Sequence, residues 1–241
     1  MEERLDKLLV QLNLMESRVQ SENFIQNIGV VVNGKLIKKP GKKVPISSVI
    51  KLFQQTDKIK SPEGFSINNV LEKWKINLTE KHTLVIYPKD DSFIDAIRYK
   101  PVRELTYISA QKEFEFALEK DVVNFSEKSI RELSTLIEDS SIDFVFIHAS
   151  EHSIFNTIPF IFPILNAESE IVLLFKPELE ATKDELKPNG SFKDYGKMPR
   201  FMSDIKDKLF KSGLNLIDKK ASEVIGKDGF TEYFLRIKKV N

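Results

Sequence analysis

The chain has 241 residues, of which 41% are hydrophobic and 30% charged, with no cysteine and a formal net charge of +1. That composition is ordinary for a globular protein, and the length suits one large domain or a medium domain with a small one. It excludes disulfides and thiolate metal sites, and no apolar run approaches the roughly 18 to 20 residues that span a bilayer.

The first segment, MEERLDKLLVQ, lacks the charged-then-apolar pattern of a secretion signal, so a cytoplasmic location is expected. Charge is spread unevenly. Residues 1–60 carry 11 Lys/Arg against 6 Asp/Glu, whereas residues 61–241 carry 26 against 30. A basic module on a near-neutral body fits this asymmetry, as does a lysine-rich solvated surface.

Leu5, Leu8, Leu9 and Leu12 recur at helical spacing and predict a helix over residues 3–13. A second helix is predicted from Ser17, a suitable N-cap, to Asn27, with Gly29 beyond it as a left-handed terminator. Val30–Val32 reads as a strand, Asn33-Gly34 as a tight turn and Lys35–Lys38 as the returning strand. Pro40-Gly41 makes another turn before Val44 resumes extended structure. Residues 51–62 are polar and read as a linker.

Beyond it the pattern alternates. Helix 66–75 precedes strand 83–87; strand 105–109 precedes a helix around 111–119; helix 127–138 precedes strand 142–147. Residues 151–165, broken by Pro159 and Pro163, are helical or irregular, and their run IFNTIPFIFPIL reads as core in preference to a membrane or partner surface. Strand 170–176, a loop through 181–200, helix 199–212 ending at Gly213, and strands 214–218 and 231–238 complete the chain. Alternating strands and helices argue for a mostly parallel sheet covered on both faces, with an antiparallel edge hairpin at the end.

The string from Arg4 to Val44 resembles the RNA-binding domain first known from ribosomal protein S-four. The residues that carry the resemblance are Arg4-Leu5-Asp6, Leu8-Leu9, Ser17-Arg18, Phe24-Ile25, Gly29, Val30 to Gly34 and Pro40. Glu22 and Asn23 lie where that family often has a small residue. The charge pattern agrees, since eight lysines between Lys35 and Lys60 are opposed only by Asp57. Lysines on a hairpin can follow a phosphate backbone and release its counterions, and such contacts read RNA shape more than sequence. Arg4, Lys7, Ser17, Arg18, Lys35, Lys38, Lys39, Lys42 and Lys43 are therefore the candidate RNA-binding residues. A surface ion pair of Arg18 with Glu16 or Glu22 is the alternative use of that arginine.

The module together with the rest of the chain resembles the TlyA group of FtsJ-type RNA 2′-O-methyltransferases, often labelled hemolysins. IDFVFIHAS, IVLLFKPELEA and GFTEYFLRI are the clearest matching pieces. The resemblance implies an S-four-like α+β domain over residues 1–50, a linker over 51–62, and a Rossmann-like methyltransferase-fold domain over 63–241.

It also implies a cofactor, S-adenosylmethionine, held by a glycine-rich turn after the first strand. Here that stretch reads LVIYPKDDSFIDA, with Tyr87, Pro88, Asp90, Asp91 and Ser92 where the family has its acid and glycines. No glycine occurs between Gly64 and Gly190. Side chains there take the space that glycines leave for a ligand, and Pro88 removes a donor. The acidic residue expected after the second strand is absent at Ser109-Ala110.

The family activates the ribose hydroxyl with a Lys-Asp-Lys-Glu set, of which Lys176 and Glu232 match the last two members. Ser66 replaces the first lysine, His148 the aspartate, and Pro62-Glu63 an Arg-Gly pair. Lys176 and Glu232 thus read as relics of a catalytic site, or as an ordinary strand end and a cross-strand charge partner. No cofactor and no metal are expected; His148 and His152 near Glu151 make only a weak metal pair.

The expected function is binding of RNA, ribosomal RNA or ribosomal particles, with methyltransferase activity lost and no membrane partner. The rivals are an active S-adenosylmethionine-dependent rRNA 2′-O-methyltransferase with a diverged loop, and a protein-interaction scaffold. The sequence gives no support to a membrane-lysing role.

Overall fold

The computed structural model describes residues 1–27, 29–52, 62–87, 96–97, 100–108, 122–124, 130–148, 153–222 and 231–240. Its N-terminal part opens with strand β1 (Glu2–Arg4) and helix α1 (Leu5–Gln11). The three residues ahead of the helix are extended because they pair with β4 (Lys43–Pro45) in the register Glu3↔Val44, which carries Val44 into the core. The expected helix over 3–13 is therefore shorter. It ends where Asn13 turns left-handed at φ 54, a conformation asparagine tolerates.

Helix α2 (Arg18–Asn27) is capped as its sequence predicts: Gln20 N donates to Ser17 Oγ at 3.2 Å. Gly29 ends it at φ +100, and a Cβ there would lie 2.6 Å from Leu36 Cδ1. Strands β2 (Val30–Val32) and β3 (Lys35–Ile37) are joined by Asn33 and Gly34, both at positive φ. The Asn33 side chain also accepts from Val49 N at 2.8 Å, tying the turn to the next strand.

That strand, β5 (Ile50–Leu52), pairs antiparallel with β2, giving a three-stranded sheet ordered β3-β2-β5. The linker assigned to 51–62 is corrected here: Lys51 and Leu52 belong to the sheet, and Pro62 opens the next helix. Ile50 and Leu52 alternate inward onto the core, a period-two signal that the surrounding lysines obscure. The core itself gathers Leu5, Leu8, Leu9, Ile25, Val30, Val32, Ile37 and Val44.

Helix α3 (Pro62–Lys73) starts earlier than expected, with proline at its first position, where no N–H is lost. Strands β6 (His82–Ile86), β7 (Glu104–Ile108), β8 (Val122–Asn124), β9 (Ile142–His148) and β10 (Leu165–Phe175) come next, interspersed with the short helices α4 (Leu133–Leu136) and α5 (Ile158–Ile161). Helix α6 (Met198–Lys211) precedes β11 (Leu214–Ala221) and β12 (Tyr233–Lys239).

These form one seven-stranded sheet in the order β11-β12-β10-β9-β6-β7-β8. Only β12 runs against the others, pairing antiparallel with both β10 and β11. The reversed strand is thus inside the sheet, and β11 is the edge. Strand β8 is the element of this sheet that the sequence pattern does not reveal. The helix expected around 111–119 lies outside the described residues.

Alternation sorts the strand residues onto two faces. Val85, Tyr107, Phe144, Phe146, Val172, Leu174 and Phe234 meet α3 through Ile67, Val70, Leu71 and Trp74. Leu84, Ile86, Val145, Ile147, Leu173, Phe175 and Leu235 meet α6 through Phe201, Met202, Ile205 and Leu209. Strand β10 is longer than expected because Asn166 and Ser169 satisfy its irregular start: Asn166 Nδ2 donates to Asp143 Oδ1 at 2.7 Å, and Ser169 Oγ to Ile142 O at 2.5 Å.

At the start of the parallel strands, His82 is buried and bonded through Nε2 to Thr106 Oγ1 at 3.1 Å. Burial lowers its pKa from 6.5, outweighing the pull of Glu104. The unfolded chain therefore takes up a proton first as pH falls, so this contribution to stability is complete above 6.5 and declines below it. Thermal melts across pH 7 to 5 are expected to show a fall in Tm that His82→Gln reduces; an unchanged profile in the variant would refute this assignment.

Candidate functional site

Two regions hold the candidate residues. In the first, the Asp6 carboxylate is completely buried at the start of α1. It accepts from Arg4 Nε at 3.0 Å and Arg4 Nη2 at 2.7 Å, from Arg18 Nε at 3.2 Å, and from Lys7 N at 2.9 Å. The hydrogen bonds from Arg4 hold this carboxyl far below the usual carboxylate range despite its burial, with Arg18 and Lys7 N adding to them. The same contacts raise the Arg4 guanidinium.

Arg18 Nε also meets Glu22 Oε1 at 3.1 Å, so the alternative ion pair forms alongside the Asp6 contact. The arginine side chains remain 37% and 50% exposed.

The lysine turn closes on this clamp. Leu5 N donates to Lys42 O at 2.9 Å and Asp6 N to Pro40 O at 3.1 Å. A Cβ on Gly41 would lie 3.1 Å from Arg4 Nη1, so the turn's backbone rests against the guanidinium. Lys38, Lys39, Lys42 and Lys43 are all exposed around it, and Lys43 pairs with Arg4 across the strands. Lys7 is exposed on α1, and Lys35 sits at the other end of β3 from Lys38. Ser17 spends its hydroxyl on capping α2. Asp6, the residue that organises the set, is one that sequence reasoning missed as a functional group; its signal is a carboxylate on a leucine face two residues from an arginine.

The second region is the end of the seven-stranded sheet toward which the parallel strands run. Lys176 follows β10 and Glu232 precedes β12; Lys176 Nζ lies 3.4 Å from Glu232 Oε1, with the two side chains 12% and 11% exposed. His148, 7% exposed, ends β9 opposite Leu174. Tyr87, after β6, has φ 54 and donates its N–H to Ile108 O at 2.8 Å. Such a dihedral is uncommon for a bulky residue. Its ring packs on the core, and burial raises its phenol.

Ser66 is 2% exposed on α3, and its hydroxyl is without a hydrogen-bond partner among the described residues. The helix is fixed lengthwise where Arg236 Nη1 donates to Trp74 O at 3.3 Å. Ser66 lies about 12 Å back along α3 from Trp74, and Glu232 about 13 Å back along β12 from Arg236. Both therefore reach the same end of the sheet. Glu180, in the piece FKPELEA, binds the far loop, accepting from Ser153 Oγ at 2.7 Å and Ile154 N at 2.6 Å. Pro88, Asp90, Asp91, Ser92, Glu151 and His152 lie outside the described residues. Among the described residues no group of three His, Asp or Glu side chains is arranged to hold a metal. No helix among them is long and apolar enough to cross a membrane.

A small basic module and a sheet of this order define the class: an S4 domain joined to a methyltransferase fold. The S4 domain family model matches residues 3–50, which indicates RNA binding by this segment. Over nearly the whole chain the protein is similar to Hemolysin A of Brachyspira hyodysenteriae, at 23% identity across 95% of this chain and 97% of that one. A structure described as a hemolysin from Streptococcus thermophilus superposes with a TM-score of 0.69 at 20% identity, covering all of this chain and 89% of its own. An S-adenosylmethionine dependent methyltransferase from Mesorhizobium loti shares the fold at a TM-score of 0.53 and 8% identity, over 74% of this chain and 100% of its own. The chain thus carries an S4 domain, which indicates RNA binding, joined to a part with a methyltransferase fold, and over nearly its whole length it is similar to Hemolysin A.

Replacing the buried carboxylate removes one negative partner that both arginines share, leaving them Glu22. Asp6→Asn is expected to lower stability by about 1 to 3 kcal/mol, read as a reduced midpoint in urea; a midpoint within error of the parent would show that the clamp carries no stability.

Proposed function

We propose that the protein binds ribosomal RNA, or an assembling ribosomal particle, in the cytoplasm through its S4 surface, and that its methyltransferase-fold part no longer transfers methyl groups. The observation that carries the binding reading is the Arg4–Asp6–Arg18 clamp with the Lys38–Lys43 turn folded against it. Fixed guanidinium edges beside exposed lysines suit phosphates on an RNA duplex better than they suit base edges. In this reading the chain is two domains, the first ending near residue 50 and the second beginning near residue 63.

Loss of methyl transfer is supported at the other site. The residues present do not fit S-adenosylmethionine. Tyr87 takes a left-handed turn with a bulky side chain packed on the core, and the glycines that let a backbone approach a ligand are missing from the stretch after it. Ser66 has no amine to offer where the family has lysine, and His148 stands in place of the acid. Losing one positioned acid–base group costs a factor of roughly 10² to 10⁴. The Lys176–Glu232 contact is the one observation that favours retained activity, and within this reading it serves as a charge pair joining β10 to β12.

Two measurements test the two halves. Reversing the charges of Lys38, Lys39, Lys42 and Lys43 to glutamate is expected to abolish measurable binding of ribosomal RNA fragments. Neutralising them to glutamine is expected to flatten the salt dependence by roughly 0.7 to 0.9 log units per lost phosphate contact; unchanged binding in both variants overturns the S4 assignment. Isothermal titration of the full chain with S-adenosylmethionine is expected to give no heat of binding, and micromolar affinity overturns the inactive reading.

A further inference from the structure

The loop between β10 and α6 carries an exposed tyrosine that neither region described above uses. Tyr195 is 51% exposed and opens a single helical turn, Tyr195–Lys197. The turn is closed by its own cap: Asp194 Oδ1 accepts from Gly196 N at 2.8 Å, and a Cβ at Gly196 would meet that oxygen at 3.0 Å.

Two buried rings pack against the tyrosine, one tilted to it and the next edge-on to the first. The Tyr195 centroid is 5.9 Å from that of Phe192, which is 5.2 Å from Phe201 on α6. Phe192 and Phe201 are 4% and 8% exposed, so the outer ring rests on a fixed base. Ordering such a ring on binding costs little entropy, because its position is already set. Burial and the Glu178 carboxylate both raise the phenol above 10.0, which keeps it neutral at ordinary pH.

Lys193, Lys197 and Arg200 are exposed in the same stretch of chain, and Lys193 Nζ donates to Asp184 O at 2.9 Å. Of the acids, Asp194 caps Gly196 and Glu185 accepts from Thr182 N at 2.8 Å and Thr182 Oγ1 at 2.9 Å, while the Glu178 carboxylate acts on the phenol.

We propose that Tyr195 is a stacking platform for one unpaired RNA base, with Lys193, Lys197 and Arg200 holding the phosphates that flank it. An exposed aromatic face among cations is what single-stranded nucleic acid requires, and stacking accepts any base. The proposal rests on the RNA-binding reading but uses residues separate from the S4 surface.

The test uses the full chain and two RNAs: a blunt hairpin, and the same hairpin with a short single-stranded tail carrying one 2-aminopurine. The parent protein is expected to bind both and to quench the tail's fluorescence. Tyr195→Ala is expected to lose the quenching and to bind the tailed RNA about tenfold more weakly, with blunt-hairpin affinity unchanged. Tyr195→Phe, which keeps the ring, is expected to retain both properties. Unchanged quenching in Tyr195→Ala, or an equal loss on the blunt hairpin, overturns the platform while leaving the S4 reading intact. Failure of the parent protein to bind either RNA overturns the RNA reading itself.

Discussion

A carboxylate with no exposed surface must be compensated, and at Asp6 the compensation organises the N-terminal module. Its two oxygens take three bonds from two guanidinium groups and one from the first turn of its own helix. Because Arg4 ends β1 and Arg18 begins α2, the carboxylate ties a strand and two helices at one point. The lysine turn then has a fixed surface to close on, and Gly41 is the residue that lets it close. Positive charge is gathered at one place because a negative charge lies beneath it.

The Lys176–Glu232 pair at the end of the large sheet obeys a different logic. Both side chains retain a little exposure, and they come from neighbouring antiparallel strands. Such a pair needs no cofactor to justify it, since it satisfies two charged groups that the strand ends bring together. Ser66 offers a buried hydroxyl and His148 a buried imidazole, while Tyr87 fills space with an aromatic ring. The sheet order is that of a methyltransferase fold, and at the end toward which the parallel strands run Tyr87 and His148 place an aromatic ring and an imidazole.

The parts legible in the sequence are those governed by local rules. Ser17 capping α2, Gly29 ending it and Asn33-Gly34 turning the hairpin are all readable, because each depends on one or two residues and a dihedral. The strands with dense apolar runs are readable for the same reason. The misses depend on distant partners. Strand β1 exists because β4, forty residues later, supplies its hydrogen bonds. Strand β5 hides in a lysine-rich stretch, and β8 has no pattern of its own beyond Val122 and Val123. The settings of Asp6 and Tyr195 are likewise invisible, since one depends on two arginines converging in space and the other on Phe192 and Phe201 packing tilted and edge-on behind it.

The three-stranded sheet of the module also constrains how RNA reaches it. Val30 and Val32 face the module's own core, so Val31 points the other way. In an isolated module that face would meet water, yet Val31 is only 2% exposed, because Leu36 and Phe65 of α3 pack against it. That part of the sheet's outer face is thereby packed against the larger part of the chain, with the exposed Lys51 paired beside Val31. Arg4, Arg18 and the Lys38–Lys43 turn belong to the rest of the module, beyond this contact. Phe65 adjoins Ser66, which reaches the same end of the large sheet as Glu232. The packing contact at Val31 therefore joins the module to α3, the helix that Arg236 holds at its far end through Trp74 O.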